Sequence, residues 1–140
     1  MYLLDTNVVS ELRKISSGKA DIHVTKWANH VDAADLYLSV ITVQELEIGV
    51  QLLELRDTAQ GLIFRTWLDD YVLPSFEGRI LPIDTTVAKR SAKLHIPNPR
   101  PFRDGLIAAT ALVHKMTVVT RNARDFEPSG VSLINPWMEK

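Results

Sequence analysis

Four acidic residues stand where apolar, strand-like segments end or helix-like segments begin, and they carry the strongest chemical signal in the chain. They are Asp5, Glu45, Asp104 and Asp125. In open α/β folds, ligands bind in the crevice beyond the carboxyl ends of the strands, and Asp5 directly follows the apolar run 2–4. Converging carboxylates are costly unless a cation neutralises them. The pattern therefore predicts a site for a hard metal ion.

Asp5 and Glu45 each have a structural explanation beside the functional one. Asp5 could cap a helix that begins near Asn7, because aspartate favours the N-cap position. Glu45 could close a capping box with Thr42, in which the glutamate returns to the N-cap amide. Equally, Glu45 lies at the edge of the buried stripe of its helix and near the tip of the preceding strand. Both explanations stay open for each residue.

Asp104 and Asp125 allow the same two interpretations. Asp104 opens the apolar, alanine-rich stretch 105–113, which is typical of a buried helix, so this acid should start on the face that meets the sheet. Helix capping is the alternative. Asp125 lies in the sequence TRNARDF after a predicted strand, where asparagine and aspartate commonly stabilise turns. Spacing does not decide whether Asn122 or Asp125 faces the crevice.

The sequence lacks the residues that several other kinds of catalytic or metal site require. The chain has no cysteine, which excludes disulfides, thiolate metal sites and cysteine nucleophiles. Its four histidines form none of the spacings typical of zinc sites, and no GxSxG, P-loop or GxGxxG sequence occurs. Gly49 is expected to allow close packing of helices. Chemistry based on carboxylate oxygens is the interpretation that the sequence favours.

Strand-like and helix-like segments alternate, which favours a parallel sheet covered by helices on both faces. Strands are predicted at 2–4, 36–40, 79–83, 117–120 and 131–134. Helices are predicted at 7–14, 21–31, 42–57, 60–74, 84–95 and 104–116. The predicted fold class is α/β, a three-layer, Rossmann-like domain with a central, mainly parallel five-stranded sheet flanked by helices.

Composition and charge fit one domain over residues 1–140, without repeats, linkers or low-complexity tracts. We expect a cytoplasmic protein, because no apolar stretch could span a membrane and the N-terminus lacks a signal-peptide pattern. The net charge is −5 over residues 1–83 and +5 over residues 84–125. A basic segment beside an acidic pocket suits a phosphate backbone near a metal centre, although an ordinary solvated helix face explains it equally well.

Four segments, in order, resemble the motifs of the PIN-domain ribonucleases, specifically the VapC/FitB-type toxins of prokaryotic toxin–antitoxin pairs. The opening YLLDTNVVSEL resembles the first motif, and ITVQELEIGV resembles the second, with Glu45 in its acidic position. RDGLIAATALVHKMTVVTRNARDF and the later GVSLINPW resemble the third and fourth. The resemblance covers residues 2–137 and implies a single PIN-like domain.

The resemblance implies that Asp5, Glu45 and Asp104 form a catalytic, metal-binding core. Mg²⁺ is the implied cofactor, with Mn²⁺ as a substitute. Some relatives have a carboxylate where this chain has Asn122, so Asn122 and Asp125 are alternative fourth ligands. The residues expected to orient the carboxylates are Thr6, Asn7 and Thr120. The arginines expected to hold RNA phosphates are Arg100, Arg103, Arg121 and Arg124.

The implied function is that of a toxin, an endoribonuclease that hydrolyses RNA phosphodiester bonds with metal-activated water. The implied partners are RNA, a cognate antitoxin, a second copy of the chain in a homodimer, and a toxin–antitoxin hetero-oligomer. A non-catalytic, PIN-like nucleic-acid-binding module is one alternative. A phosphoaspartyl protein with Asp5 as nucleophile is another, which the sequence disfavours because it has D-T-N rather than D-x-D and no lysine in the segment 131–136.

Overall fold

Five short strands form the central sheet of the computed structural model, which describes residues 1–138 of the chain. The strands lie in the order β3-β2-β1-β4-β5, and every neighbouring pair is parallel. This arrangement confirms the predicted α/β fold class. The strands are Tyr2–Leu4 (β1), Leu36–Ser39 (β2), Ile80–Leu81 (β3), Thr117–Val119 (β4) and Leu133–Ile134 (β5).

Helices connect the strands and cover the sheet. They are Thr6–Leu12 (α1), Ile22–His30 (α2), Val40–Arg56 (α3), Thr58–Thr66 (α4), Leu73–Ser75 (α5), Thr85–Leu94 (α6), Phe102–His114 (α7) and Ala123–Phe126 (α8). A π-helical segment, Trp67–Val72, joins α4 to α5, so the predicted helix at 60–74 is interrupted. The short helix α8 was not predicted, because four residues are too few to show a helical period.

Alternating side chains bury both faces of the sheet. Leu3 and Val118 pack with Ile107 and Phe126 on one face. Leu4 and Val119 pack on the other face with residues of α1, α3 and the π-helical segment. Successive side chains of a strand point to opposite faces, so strands that read as continuous apolar runs fit a sheet covered on both sides.

The order in which strands are added to the sheet changes direction at β1. The chain runs from β1 to β2 and β3 on one side, then crosses to β4 and β5 on the other. A crevice opens beyond the strand ends at such a switch point. Asp5 lies there, and its backbone amide donates a 2.9 Å hydrogen bond to the carbonyl oxygen of Val119. None of the helices in residues 1–138 has the length and apolar character needed to cross a bilayer.

Candidate active site

The Asp5 carboxylate is fully buried at the end of β1 and is held by hydrogen bonds on both oxygens. Oδ1 accepts from the backbone amide of Thr6 at 2.8 Å, and Oδ2 accepts from the hydroxyl of Thr120 at 2.7 Å. Asp5 is also the N-cap residue of α1, so the capping explanation is confirmed and the functional one stays a prediction. A buried carboxylate needs such donors, because desolvation otherwise disfavours its charged form.

Glu45 reaches the same crevice from α3. The N-cap of this helix is Ser39, whose hydroxyl accepts from the Ile41 amide at 3.0 Å, so the capping box between Thr42 and Glu45 is not formed. Instead, Glu45 Oε1 accepts a hydrogen bond from the hydroxyl of Thr6, a residue at the start of α1. The structural explanation of Glu45 was therefore wrong, and its side chain points to the crevice.

Asp104 comes from the first turn of α7 and does not cap it. The N-cap position belongs to Pro101, which provides no side-chain hydrogen bond. The next residue, Gly105, is buried, and most of the following helix packs against the sheet. The Asp104 carboxylate faces the crevice, where it accepts a hydrogen bond from the same arginine, Arg103, as Asp5 and Glu45 do.

The three carboxylates meet around the guanidinium group of Arg103. Its Nε donates to Glu45 Oε2 at 2.6 Å, one terminal nitrogen donates to Asp104 Oδ1 at 2.8 Å, and the other donates to Asp5 Oδ1. Each nitrogen of the guanidinium thus serves a different acid. The structure brings Asp5, Glu45 and Asp104 together as predicted from their positions, while their catalytic role stays a prediction.

Ionisation of this cluster is governed by burial and by the arginine. Burial raises the pKa of the Glu45 carboxyl, but hydrogen bonds from Arg103 and Thr6 outweigh it, so the pKa lies below its ordinary value. Burial lowers the pKa of Arg103, and the hydrogen bond to Glu45 and the charge of Asp5 raise it to a value above its ordinary one. Glu45 and Arg103 are therefore both charged at neutral pH.

The chemistry of the donors fits a hard divalent cation, since the side chains that contact Asp5 and Glu45 here offer carboxylate and hydroxyl oxygens. That the carboxylates already converge on one cationic group supports the same fit. As the side chains stand, no trio of His, Asp or Glu within residues 1–138 is arranged so that it could hold a metal ion. Asp5, Glu45 and Asp104 are the residues that would hold one.

The two candidates for a fourth ligand lie at the rim. Asn122 is exposed, and its backbone amide donates to the Thr120 hydroxyl at 3.0 Å, which connects it to Asp5 through one residue. Asp125 is exposed on α8 and lines a small cavity of about 40 Å³ together with Asp104. Neither side chain hydrogen-bonds to the three acids, so the choice between them stays a prediction.

The polar residues predicted to orient the carboxylates have different positions. Thr6 and Thr120 contact the acids directly. Asn7 does not; its side-chain oxygen accepts from the backbone amide of Arg121 at 3.2 Å, and it fixes the loop after β4. Thr6 and Thr120 therefore hold the carboxylates, and Asn7 holds the segment that carries Asn122.

The four arginines predicted to hold phosphates also differ. Arg100 lines the small cavity beside Asp104, and Arg124 is exposed on α8. Arg121 lies over the ring of Trp137, with 5.3 Å between the guanidinium carbon and the ring centroid. Arg103 is the exception, because its hydrogen bonds go to the three acids. Sequence reasoning missed this pairing, although an arginine directly before Asp104 at a helix start was a visible signal.

Comparison with known proteins places these features in a family context. Residues 2–127 match the family model described as the PIN domain. The chain is 39% identical over 142 residues to VapC ribonuclease Y4jK of Sinorhizobium fredii, covering 98% of each protein. It is 40% identical over 143 residues to toxin FitB of Neisseria gonorrhoeae, covering 98% of this chain and 99% of the toxin.

A solved structure of FitAB bound to a DNA fragment contains a similar chain. The two chains superimpose with a TM-score of 0.88 and are 36% identical, and the match covers 100% of this chain and 98% of the other. The similarity therefore extends over the whole fold, including every element that carries an acid of the crevice.

Proposed function

The chain belongs to the PIN-domain family and is of the VapC/FitB type, and on that premise we propose that it is the toxin of a toxin–antitoxin pair. In this proposal it is an endoribonuclease that hydrolyses phosphodiester bonds of RNA. It uses Mg²⁺, or Mn²⁺ as a substitute, held by Asp5, Glu45 and Asp104. Its action on RNA would take place in the cytoplasm.

One observation carries the proposal: three carboxylates from three separate elements converge at the switch point of the sheet. Such a cluster costs stability unless cations offset it, and Arg103 supplies only one positive charge, so the cluster favours binding of a further cation. The similarity to a protein named a ribonuclease and to one named a toxin supports the choice of RNA hydrolysis over other metal-dependent reactions.

The crevice has a fixed floor, formed by Asp5, and a mouth that is open to solvent. Asp5 is 0% exposed and is held by Thr6 and Thr120, so it fixes the floor. Glu45 and Asp104 have side chains 32% and 22% exposed, so a phosphodiester can reach them from solvent. A divalent ion bound there would polarise a phosphate oxygen and lower the pKa of an attacking water.

Glu45 is suited to position the attacking water. Its lowered pKa keeps it ionised at neutral pH, and the hydroxyl of Thr6 fixes its orientation. An ionised carboxylate at the mouth of the site can accept a hydrogen bond from a water and align it with the phosphorus atom. Arg100, Arg121 and Arg124 supply positive charge at the rim, where flanking phosphates of the RNA would lie.

The partner proposed for the toxin is an antitoxin that docks beside the crevice. Two adjoining cavities, of about 260 and 620 Å³, share Phe64 and Trp67, and the smaller one also borders Thr6 and Glu45. An apolar segment seated there would end beside the acids and could block RNA. Assembly as a homodimer within a toxin–antitoxin hetero-oligomer belongs to the same proposal, which co-purification of the two native proteins would test.

The test of the enzymatic proposal is the chemistry of the cut ends. Purified protein should cleave RNA in the presence of Mg²⁺ and leave 5′-phosphate and 3′-hydroxyl ends, because water is the nucleophile. Removal of the metal with EDTA should stop cleavage, and added Mn²⁺ should restore it. Ends with 2′,3′-cyclic phosphate, or cleavage that persists in EDTA, would reject hydrolysis by metal-activated water.

A non-catalytic, RNA-binding PIN module gives a different result in the same assay. It would bind Mg²⁺ and RNA, and the RNA would stay intact across a broad set of transcripts. A phosphoaspartyl protein would instead incorporate label from acetyl phosphate at Asp5 without cutting RNA.

A further inference from the structure

Arg103 holds the position that a metal ion would need. It extends from the first turn of α7 into the crevice, and all three of its nitrogen positions are used, each by a different carboxylate. Because the resulting ion pairs share one guanidinium, the arginine is the common centre of the cluster. A metal ion that binds the same three acids must either displace the guanidinium or share the acids with it.

Five of the six carboxylate oxygens of the three acids accept a hydrogen bond while Arg103 is in place. Asp5 and Glu45 accept hydrogen bonds on both of their carboxylate oxygens, from Arg103, Thr6 and Thr120. Within the described part of the chain, only Oδ2 of Asp104 accepts none. A cation beside the guanidinium would also be repelled by it, since like charges at short distance disfavour each other.

The Arg103 side chain has a route to solvent. It is 33% exposed, and the neighbouring residues 100–102 are exposed as well. Rotation about the side-chain bonds would carry the guanidinium along this route. Asp5 would keep its hydrogen bonds from Thr6 and Thr120 after this movement, so the floor of the site would remain formed.

We infer that Arg103 is an internal, displaceable cation that competes with the divalent metal for Asp5, Glu45 and Asp104. The inference rests on the proposed metal-dependent function. In the arginine-in state each acid is paired with the guanidinium, and the site is closed to metal. In the arginine-out state the acids are free to bind it. Metal binding and arginine release are thus two sides of one equilibrium, and the effect is autoinhibitory when metal is scarce.

The competition has a measurable size. The apparent association constant for the metal is the intrinsic constant multiplied by the fraction of molecules in the arginine-out state. A tenfold weaker apparent affinity therefore corresponds to about 10% of molecules in that state. Replacing Arg103 with alanine should remove the competitor and tighten Mn²⁺ binding at least about tenfold. Arg103→Lys, which keeps the charge but cannot pair with three acids in the same way, should give an intermediate affinity.

A titration of the full chain with Mn²⁺ tests the competition directly. The concentration of free Mn²⁺ is measured by electron paramagnetic resonance. Arg124→Ala is the matched control, because it removes one exposed positive charge near the site without contacting the acids; it should change the affinity less than threefold. Adding Asp5→Asn to Arg103→Ala should abolish the gain. Equal or weaker binding by Arg103→Ala would overturn the competition.

A second measurement uses the unaltered protein, in case Arg103→Ala fails to fold. The ¹⁵N resonance of the Arg103 Nε–H group, assigned by its loss in Arg103→Lys, should shift and exchange faster with water as Mg²⁺ is added. Mg²⁺ binding that leaves this resonance unchanged would overturn the inference while leaving the metal site intact. Absence of Mn²⁺ and Mg²⁺ binding by every variant would overturn the proposed metal-dependent function together with the competition.

Discussion

The hydroxyl of Thr120 donates a 2.7 Å hydrogen bond to Oδ2 of Asp5, and both residues are fully buried. The same hydroxyl accepts from the backbone amide of Asn122 at 3.0 Å. One side chain therefore connects the end of β1 to the loop after β4 and fixes the orientation of the buried acid. Side chains that orient a metal ligand in this way contribute strongly to metal affinity and activity.

Thr120→Val should weaken both stability and activity. The substitution keeps the shape of the side chain but leaves a buried carboxylate oxygen without its donor, which costs about 1–3 kcal/mol of unfolding free energy. Cleavage should fall about 10- to 100-fold, because Asp5 loses a fixed orientation. Urea unfolding and cleavage under single-turnover conditions measure the two effects.

Thr110→Val is the control for that substitution. Thr110 is equally buried, but its hydroxyl bonds to the carbonyl oxygen of Leu106 within α7, away from the acids. Its cleavage rate should match that of the parent. If Thr110→Val and Thr120→Val reduced cleavage equally, the hydrogen bond to Asp5 would have no special role.

Gly61→Ala should destabilise the protein. A Cβ at this position would lie 2.7 Å from the Cα of Glu54, so α3 and α4 would have to move apart. Overpacking of this kind typically costs about 1–3 kcal/mol. Gly49→Ala is the matched comparison, since no atom lies within 4 Å of its added Cβ and the change should stabilise α3 by about 0.5–1 kcal/mol. Thermal denaturation of both variants checks the opposite signs.

The free energy of unfolding should fall in acid, partly because the ion pairs between α3 and α4 are lost. Arg65 donates to Glu47 and Glu54, and hydrogen bonds from Arg65 and Gln51 lower the pKa of Glu47 from 4.5 to about 2. A lowered carboxyl pKa contributes stability that is present above the unfolded value of 4.5 and is lost as the pH falls toward about 2.

Glu47→Gln isolates that contribution. Its urea midpoint should lie below that of the parent at pH 7, and the difference should shrink as the pH falls from 4.5 and disappear below about 2. Because the pair is close to solvent, the difference at neutral pH should be small and should decrease further in high salt. A difference that grew as the pH was lowered would contradict the assignment.

The rim arginines should act through charge. Arg100→Gln and Arg124→Gln should each weaken RNA binding for all sequences alike and reduce the salt dependence of the binding constant, by about 0.7 in the log–log slope for each phosphate that is no longer neutralised. Lys115→Gln is the control, because Lys115 precedes β4 and lies at the opposite end of that strand from the crevice. Fluorescence anisotropy at several salt concentrations with an inactive variant measures these slopes.

The sequence predicted the parts of the fold that short-range patterns govern. Apolar runs and helical periods located the five strands and the long helices, and the parallel sheet followed from their alternation. The rule that ligands bind beyond strand ends predicted a shared edge for Asp5, Glu45, Asp104 and Asp125, and the resemblance to the PIN-domain toxins singled out the first three. Their convergence therefore did not require knowledge of any side-chain contact.

The predictions from sequence were wrong where the role of a residue depends on contacts between distant segments. The capping box at Thr42 matched the pattern, but α3 begins earlier, with Ser39 as its N-cap. Gly49 was expected to allow close helix packing, yet the close approach belongs to Gly61. Arg103 was expected to bind phosphates, and its pairing with acids 58 and 98 positions away has no local pattern.

The most direct test of the proposed function is the mapping of RNA ends after brief exposure of total RNA to the purified protein with Mg²⁺, for the parent and for Asp5→Asn. Asparagine keeps the shape of the side chain, and the Thr120 hydroxyl can rotate to accept a bond from its amide, so the variant should stay folded. We expect defined new 5′-phosphate ends with the parent and a loss of more than about a hundredfold with Asp5→Asn. Cleavage by folded Asp5→Asn at the same sites and rate as the parent would contradict a metal-binding role for the buried acid.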